Sequence, residues 1–330
     1  MTGIEPVRDY SGSKYIKTDD GSVYEKAGWG KTTGAVVAGN AVGGFAMRPI
    51  QNIFRKPVLA AIKQMEQLNY THGQNMGYFG KYLGDREISS VGKEFIEASK
   101  AAFAKSGLDA RGVKFVDVKN MSDLNCLDGE IPKIFKKYPK LEKFFKRKLD
   151  CSKSKIVKGK NACFAPKANK IFVNTEKMSY TSFHEMGHAL NANMGKIGKI
   201  LAKSRRPGML LAGVAMLTGI FKRKKVEGEK PQGVVDKVTT FIKDNCGKLT
   251  FLGFLPTILE EGLASVKGAK LAKGLLSEKN FKLLNRFNSK AWLTYLGAGI
   301  ATSVGVTLAS KVRDWIAEPK KVAKLPEGNI

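Results

Sequence analysis

The five residues His184-Glu185-Met186-Gly187-His188 constrain this chain more than any other stretch of it. The pattern H-E-x-x-H has chemical meaning on a helix, where residues four apart share a face and two imidazoles can grip one ion. The flanks suit such a helix: Tyr180, Phe183, Met186, Ala189 and Leu190 recur at helical spacing and predict a buried inner face. A metal site that does chemistry needs three protein ligands and one open position, so a third ligand has to come from another element. Glu185, directly after the first imidazole, can reach a water at that open position, take its proton and later return it to a leaving group.

The third ligand is not a nearby histidine. In H-E-x-x-H-x-x-G-x-x-H the glycine and the last histidine would fall at positions that hold Asn191 and Met194. The one other histidine, His72, lies in a glycine-rich turn and reads as a loop residue. The remaining route is a glutamate on a later helix, and residues 258–270, ILEEGLASVKGAK, offer two. Glu261 shares its helical face with Ala264, Ser265 and Gly268, small residues that let two helices approach as closely as a bridging metal demands. It is the expected ligand. Glu260 is expected either to orient a histidine or to pair with Lys267 at the surface.

H-E-x-x-H followed far downstream by E-x-x-A-S resembles the gluzincin metallopeptidases. The apolar segments between and beyond the two motifs resemble the integral-membrane branch of that group, the HtpX-type and prenyl-protease zinc proteases. The resemblance covers roughly residues 171–268. It implies zinc held by His184, His188 and Glu261, with Glu185 as catalytic base. Ser265 stands where that branch has an aspartate.

Charge adds a second theme. Lys plus Arg number 57 against 29 Asp plus Glu, a net charge of +28 that suits anionic surfaces. The basic residues are spread along the chain without a nucleic-acid motif, so no specific nucleic-acid partner is expected. The four cysteines show no C-x-x-C spacing and are expected to be free thiols, and residues 1–15 lack the apolar core of a secretory signal.

The order of segments is read as follows. Residues 1–32 form a polar tail, and 33–70 an apolar and then amphipathic helical segment with a break at Arg48-Pro49. Residues 71–316 form a zincin-like catalytic domain, and 317–330 a disordered tail. Within that domain 89–105 predicts a helix and 113–118 a strand. Residues 125–160 predict a basic insertion with one or two short helices, and 161–174 a hairpin around Pro166-Lys167-Ala168-Asn169. Apolar helices are expected at about 208–221, 249–259 and 292–310, the last flanked by Trp292, Tyr295 and Trp315 as interfacial anchors.

The expected fold is α+β and mainly helical, with a small antiparallel sheet before the H-E-x-x-H helix and added hydrophobic helices. The expected function is a zinc-dependent peptidase, an endopeptidase acting on protein or peptide substrate. It is expected at a membrane, integral or peripheral, in contact with anionic lipid. Two rivals stand beside this reading: a catalytically inactive, metallopeptidase-like basic membrane or scaffold protein, and a cytoplasmic peptidase whose apolar stretches are core helices.

Overall fold

The computed structural model describes residues 14–71, 87–130 and 137–322. His72 lies outside the described residues. The chain is mainly helical. In order, it forms β1 (Tyr15–Lys17), β2 (Val23–Glu25), α1 (Trp29–Asn69), α2 (Ser90–Lys105), β3 (Lys114–Asp117) and α3 (Pro139–Val157). There follow β4 (Cys163–Ala165), β5 (Lys170–Val173), α4 (Ser182–Asn193) and α5 (Lys196–Phe221). The last elements are α6 (Gly233–Asp244), α7 (Cys246–Ala272), α8 (Glu278–Ile316) and β6 (Lys320–Val322). The chain divides into two compact units: a first of 14–52, 207–255 and 298–322, and a second of 53–206 and 256–297.

The second unit is built around a short sheet. Strand β5 pairs antiparallel with β4, as the hairpin pattern predicts, and Asn169 takes the positive φ that the turn requires. On its other side β5 pairs in parallel with β3, Lys114 opposite Lys170. Alternation along β5 serves two cores. Ile171 and Val173 join Phe95, Tyr180, Phe183, Met186 and Phe287, while Phe172 packs with Val118, Leu124 and Ile156 on the far side. Phe95 meets Tyr180 and Phe183 edge-on, both at 6.5 Å between ring centroids, and Tyr180 meets Phe287 at 5.0 Å. These rings lock α4 against α2 and the start of α8.

Helix α2 opens on a serine cap, with Ser89 Oγ accepting from Gly92 N–H at 3.0 Å. Helix α3 occupies the basic insertion and holds on through Ile156 and the buried Lys153, which donates to Asp128 at 2.7 Å. The four cysteines, all among the described residues, form no disulfide.

The first unit inverts the usual distribution. Its enclosed positions are mostly small: Ala35, Ala212, Ala215, Ala301 and Ala309 are buried, and the backbones of Gly43 and Gly305 nearly touch. Its large apolar side chains point outward, among them Phe45, Leu210, Leu217 and Phe221. Strands β1, β2 and β6 form an antiparallel sheet in that order, so β6 ties down part of the segment read as a disordered tail. The predicted break at Arg48-Pro49 is absent, and α1 runs through it. A helix-interior proline costs about 3 kcal/mol, and packing of Gly39 and Gly43 on one side and of Ala61 and Met65 on the other holds the helix regardless. Among the described residues, Cys246–Ala272 and Glu278–Ile316 are long and apolar enough to cross a membrane.

Candidate metal centre

Helices α4 and α7 meet at three small residues. A Cβ on Gly187 would lie 2.0 Å from Ala264 O, and one on Gly268 would lie 2.2 Å from Phe183 O. Gly187 is therefore the residue inside H-E-x-x-H that lets the second helix come close. Two residues past the end of α4, Gly195 takes a φ of +85° that only glycine adopts freely, and the chain turns at once into α5.

At this crossing the expected residues converge. His184 Nε2 lies 3.0 Å from His188 Nε2 and 3.1 Å from Glu261 Oε2, and His188 Nε2 lies 3.3 Å from the same oxygen. Three donor atoms thus mark a triangle. A tetrahedral ion with arms of about 2.0–2.1 Å sets its ligand atoms roughly 3.3 Å apart, so the triangle matches one face of such a tetrahedron. His184, Glu185 and His188, and likewise His188, Glu260 and Glu261, group closely enough to hold a metal ion.

The other side of each imidazole is also occupied. His184 Nδ1 lies 3.1 Å from Ser265 Oγ, and His188 Nδ1 lies 2.9 Å from Glu260 Oε1. Each imidazole thus turns Nε2 to the triangle and Nδ1 to a polar partner that fixes its ring. Asn191 Nδ2 donates to Glu260 Oε1 at 2.9 Å. Arg205, on α5, spans both glutamates: Nη1 donates to Glu260 Oε2 at 2.8 Å and Nη2 to Glu261 Oε1 at 2.9 Å. Glu261 is left with one oxygen for the triangle and one for the guanidinium. Burial disfavours a charged imidazole at His188. Hydrogen bonds to Glu260 and Glu261 and the nearby Glu185 charge outweigh it, and His188 is pushed up to about 10. A cation entering this cluster has a proton to displace.

Glu185 is buried, and its Oε2 accepts from the Phe164 main-chain N–H at 2.7 Å. That bond fastens the carboxylate to β4, an edge strand of the sheet. Glu185, His188, Glu261, Arg205 and Tyr295 line a cleft of about 310 Å³ whose other wall is residues 161–164 and Pro166. Two of these residues carry no distinguishing mark in the sequence. Arg205 is one of many cations in a basic stretch, and Tyr295 sits in an apolar run where it reads as a membrane anchor. Trp292, read the same way, instead donates its indole N–H to Ile258 O at 2.9 Å. A helical count from Trp292 to Tyr295 keeps both near one face of α8, and that periodicity was the available signal.

Comparison with protein-family models, with curated proteins and with solved structures yields no match to this chain.

Proposed function

We propose that this chain is a zinc-dependent peptidase of the gluzincin type, with a zincin-like arrangement in its second unit, working at a membrane. The observation that carries the proposal is the triangle of His184 Nε2, His188 Nε2 and Glu261 Oε2, with edges of 3.0–3.3 Å. Two imidazoles and one carboxylate are a zinc donor set, and Ser265, Glu260 and Arg205 hold them from behind. Zinc bound there would supply Lewis acidity, lowering the pKa of a bound water to about 7 and polarising a carbonyl.

The chain's own residues do the rest. Glu185 takes the proton from the attacking water and passes it to the leaving amine. Its bond to Phe164 N–H keeps the carboxylate aimed into the cleft. The edge of β4 offers main-chain groups to an extended peptide, which would lie across Glu185 as an added strand. Arg205 and Tyr295 are donors of the cleft that would face a developing oxyanion once it forms. The membrane part of the reading is supported by the two long apolar helices and by the outward-facing Phe45, Leu210, Leu217 and Phe221 of the first unit, an apolar surface that water does not favour.

Zinc content and hydrolysis test this together. Purified wild type is expected to carry about one zinc per chain and to cleave members of a diverse peptide library. A chelator should abolish cleavage, and added zinc should restore it. A well-folded chain without zinc would remove the proposal. A zinc-loaded chain that cleaves nothing would favour the inactive scaffold.

A further inference from the structure

Resting on the membrane reading above, we propose that helix α6 lies in the plane of a phospholipid interface, with Val234, Val235, Val238 and Phe241 sunk among the upper acyl chains. These four side chains are exposed and fall at i, i+1, i+4 and i+7, which is one helical face. The opposite face is fastened to protein. Asp236 pairs with Lys222 at 2.6 Å and with Lys225 at 2.5 Å. The buried Lys243 donates to Gly219 O at 2.7 Å and Ser310 Oγ at 2.8 Å, and pairs with Asp314 at 2.9 Å.

Those anchors fix the level at which α6 sits. Lys222 follows directly on the apolar run that ends at Phe221, and Ser310 closes the run of 292–310. Cys246, two residues beyond α6, opens the long apolar helix α7. Three apolar stretches therefore stop where α6 lies, and an amphipathic helix at such a boundary gains most by lying flat. Large aromatic residues gather at the same end. Trp315 is 77 % exposed next to Asp314, and Phe221 is exposed next to Lys222. Helix α1 runs antiparallel to α8, with Gly39 against Ala309 and Gly43 against Gly305, which carries Trp29, 85 % exposed, to this end as well. Exposed tryptophans at one level are what a headgroup region accommodates. The exposed charge around α6 leans basic: Lys224, Lys237 and Lys248 stand against Glu227 and Asp244, while Lys230 pairs with Asp19 at 3.1 Å and Asp236 is taken up by Lys222 and Lys225. A phospholipid surface satisfies both the apolar face and the lysines.

The test uses the full-length chain with Trp29→Phe and Trp315→Phe, both exposed positions, and keeps Trp292, whose background signal is subtracted. Phe241→Trp in this chain is reconstituted into phosphatidylcholine–phosphatidylglycerol vesicles containing lipids brominated at shallow or at deep acyl positions. Shallow bromines should quench the new tryptophan more strongly than deep ones. No quenching, or quenching mainly by deep bromines, would overturn the in-plane placement. Leu210→Trp in the same background reports separately on the membrane reading. A quenched Leu210→Trp beside an unquenched Phe241→Trp would discard the α6 assignment alone, as a covering protein partner would also produce. No quenching at either position would discard both.

Discussion

In the second unit the enclosed side chains include large ones: Phe95, Phe172, Tyr180, Phe183 and Leu284 are all but inaccessible. In the first unit the enclosed residues are mostly small, alanine and glycine above all, and Val37, Phe45, Leu210 and Leu217 face outward. Both units are helical and come from interleaved stretches of one chain, so the contrast is not one of local propensity. It reflects what each unit gains by folding. Burial of aromatic and branched side chains, worth about 1.5–3 kcal/mol each, stabilises the unit that carries the metal motif. Close approach of backbones at small residues, as where Gly43 meets Gly305, organises the other, where the outer apolar surface is left to its surroundings. The rigidity this gives the second unit is what holds three donor atoms 3.0–3.3 Å apart.

The largest effect that would break this contrast is loss of the proposed zinc. Glu261→Gln should leave no stoichiometric zinc, measured as metal per chain, and no hydrolysis, while the fold persists because the aromatic core does not depend on the ion. Glu260→Gln should keep zinc but bind it about 10–100-fold more weakly, as expected for a partner that orients a ligand. The reverse pattern would exchange the two roles. Next in size is Glu185→Gln, which should retain zinc and lower turnover by about 10²–10⁴-fold, read by peptide cleavage at matched zinc content. Full activity in that variant would sink the proton-transfer role.

The parts of this arrangement legible in the sequence are those set by short-range periodicity. The helix around His184, the small residues at Ala264, Ser265 and Gly268, and the hairpin of β4 and β5 each follow from spacing alone. Glu261 could be singled out over Glu260 because its face is small, and the two carboxylates do point to different nitrogens, Nε2 and Nδ1. What stayed hidden depends on distant pairing. The parallel match of β3 with β5 and the pairing of β2 with β6, nearly the whole chain apart, leave no local pattern. Arg205 is the clearest case. Its role comes from bridging residues 55 and 56 positions away, and a lysine-rich stretch offers nothing to separate it from its neighbours.

The smallest effects sharpen the contrast most directly, because one kind of substitution has opposite meanings in the two units. Phe95 is buried against Tyr180 and Phe183 but stands away from the metal motif on α2. Phe95→Ala should cost about 3–5 kcal/mol of stability, measured by denaturation in mild detergent, with zinc content falling only as the second unit melts. Leu217 is also large and apolar but exposed on α5. Leu217→Ala in the same detergent should change stability by no more than about 0.5 kcal/mol, because it removes few contacts within the protein. A loss as large as that of Phe95→Ala would mean that Leu217 packs like a core residue. The outward apolar face of the first unit would then be a protein contact rather than a surface for lipid.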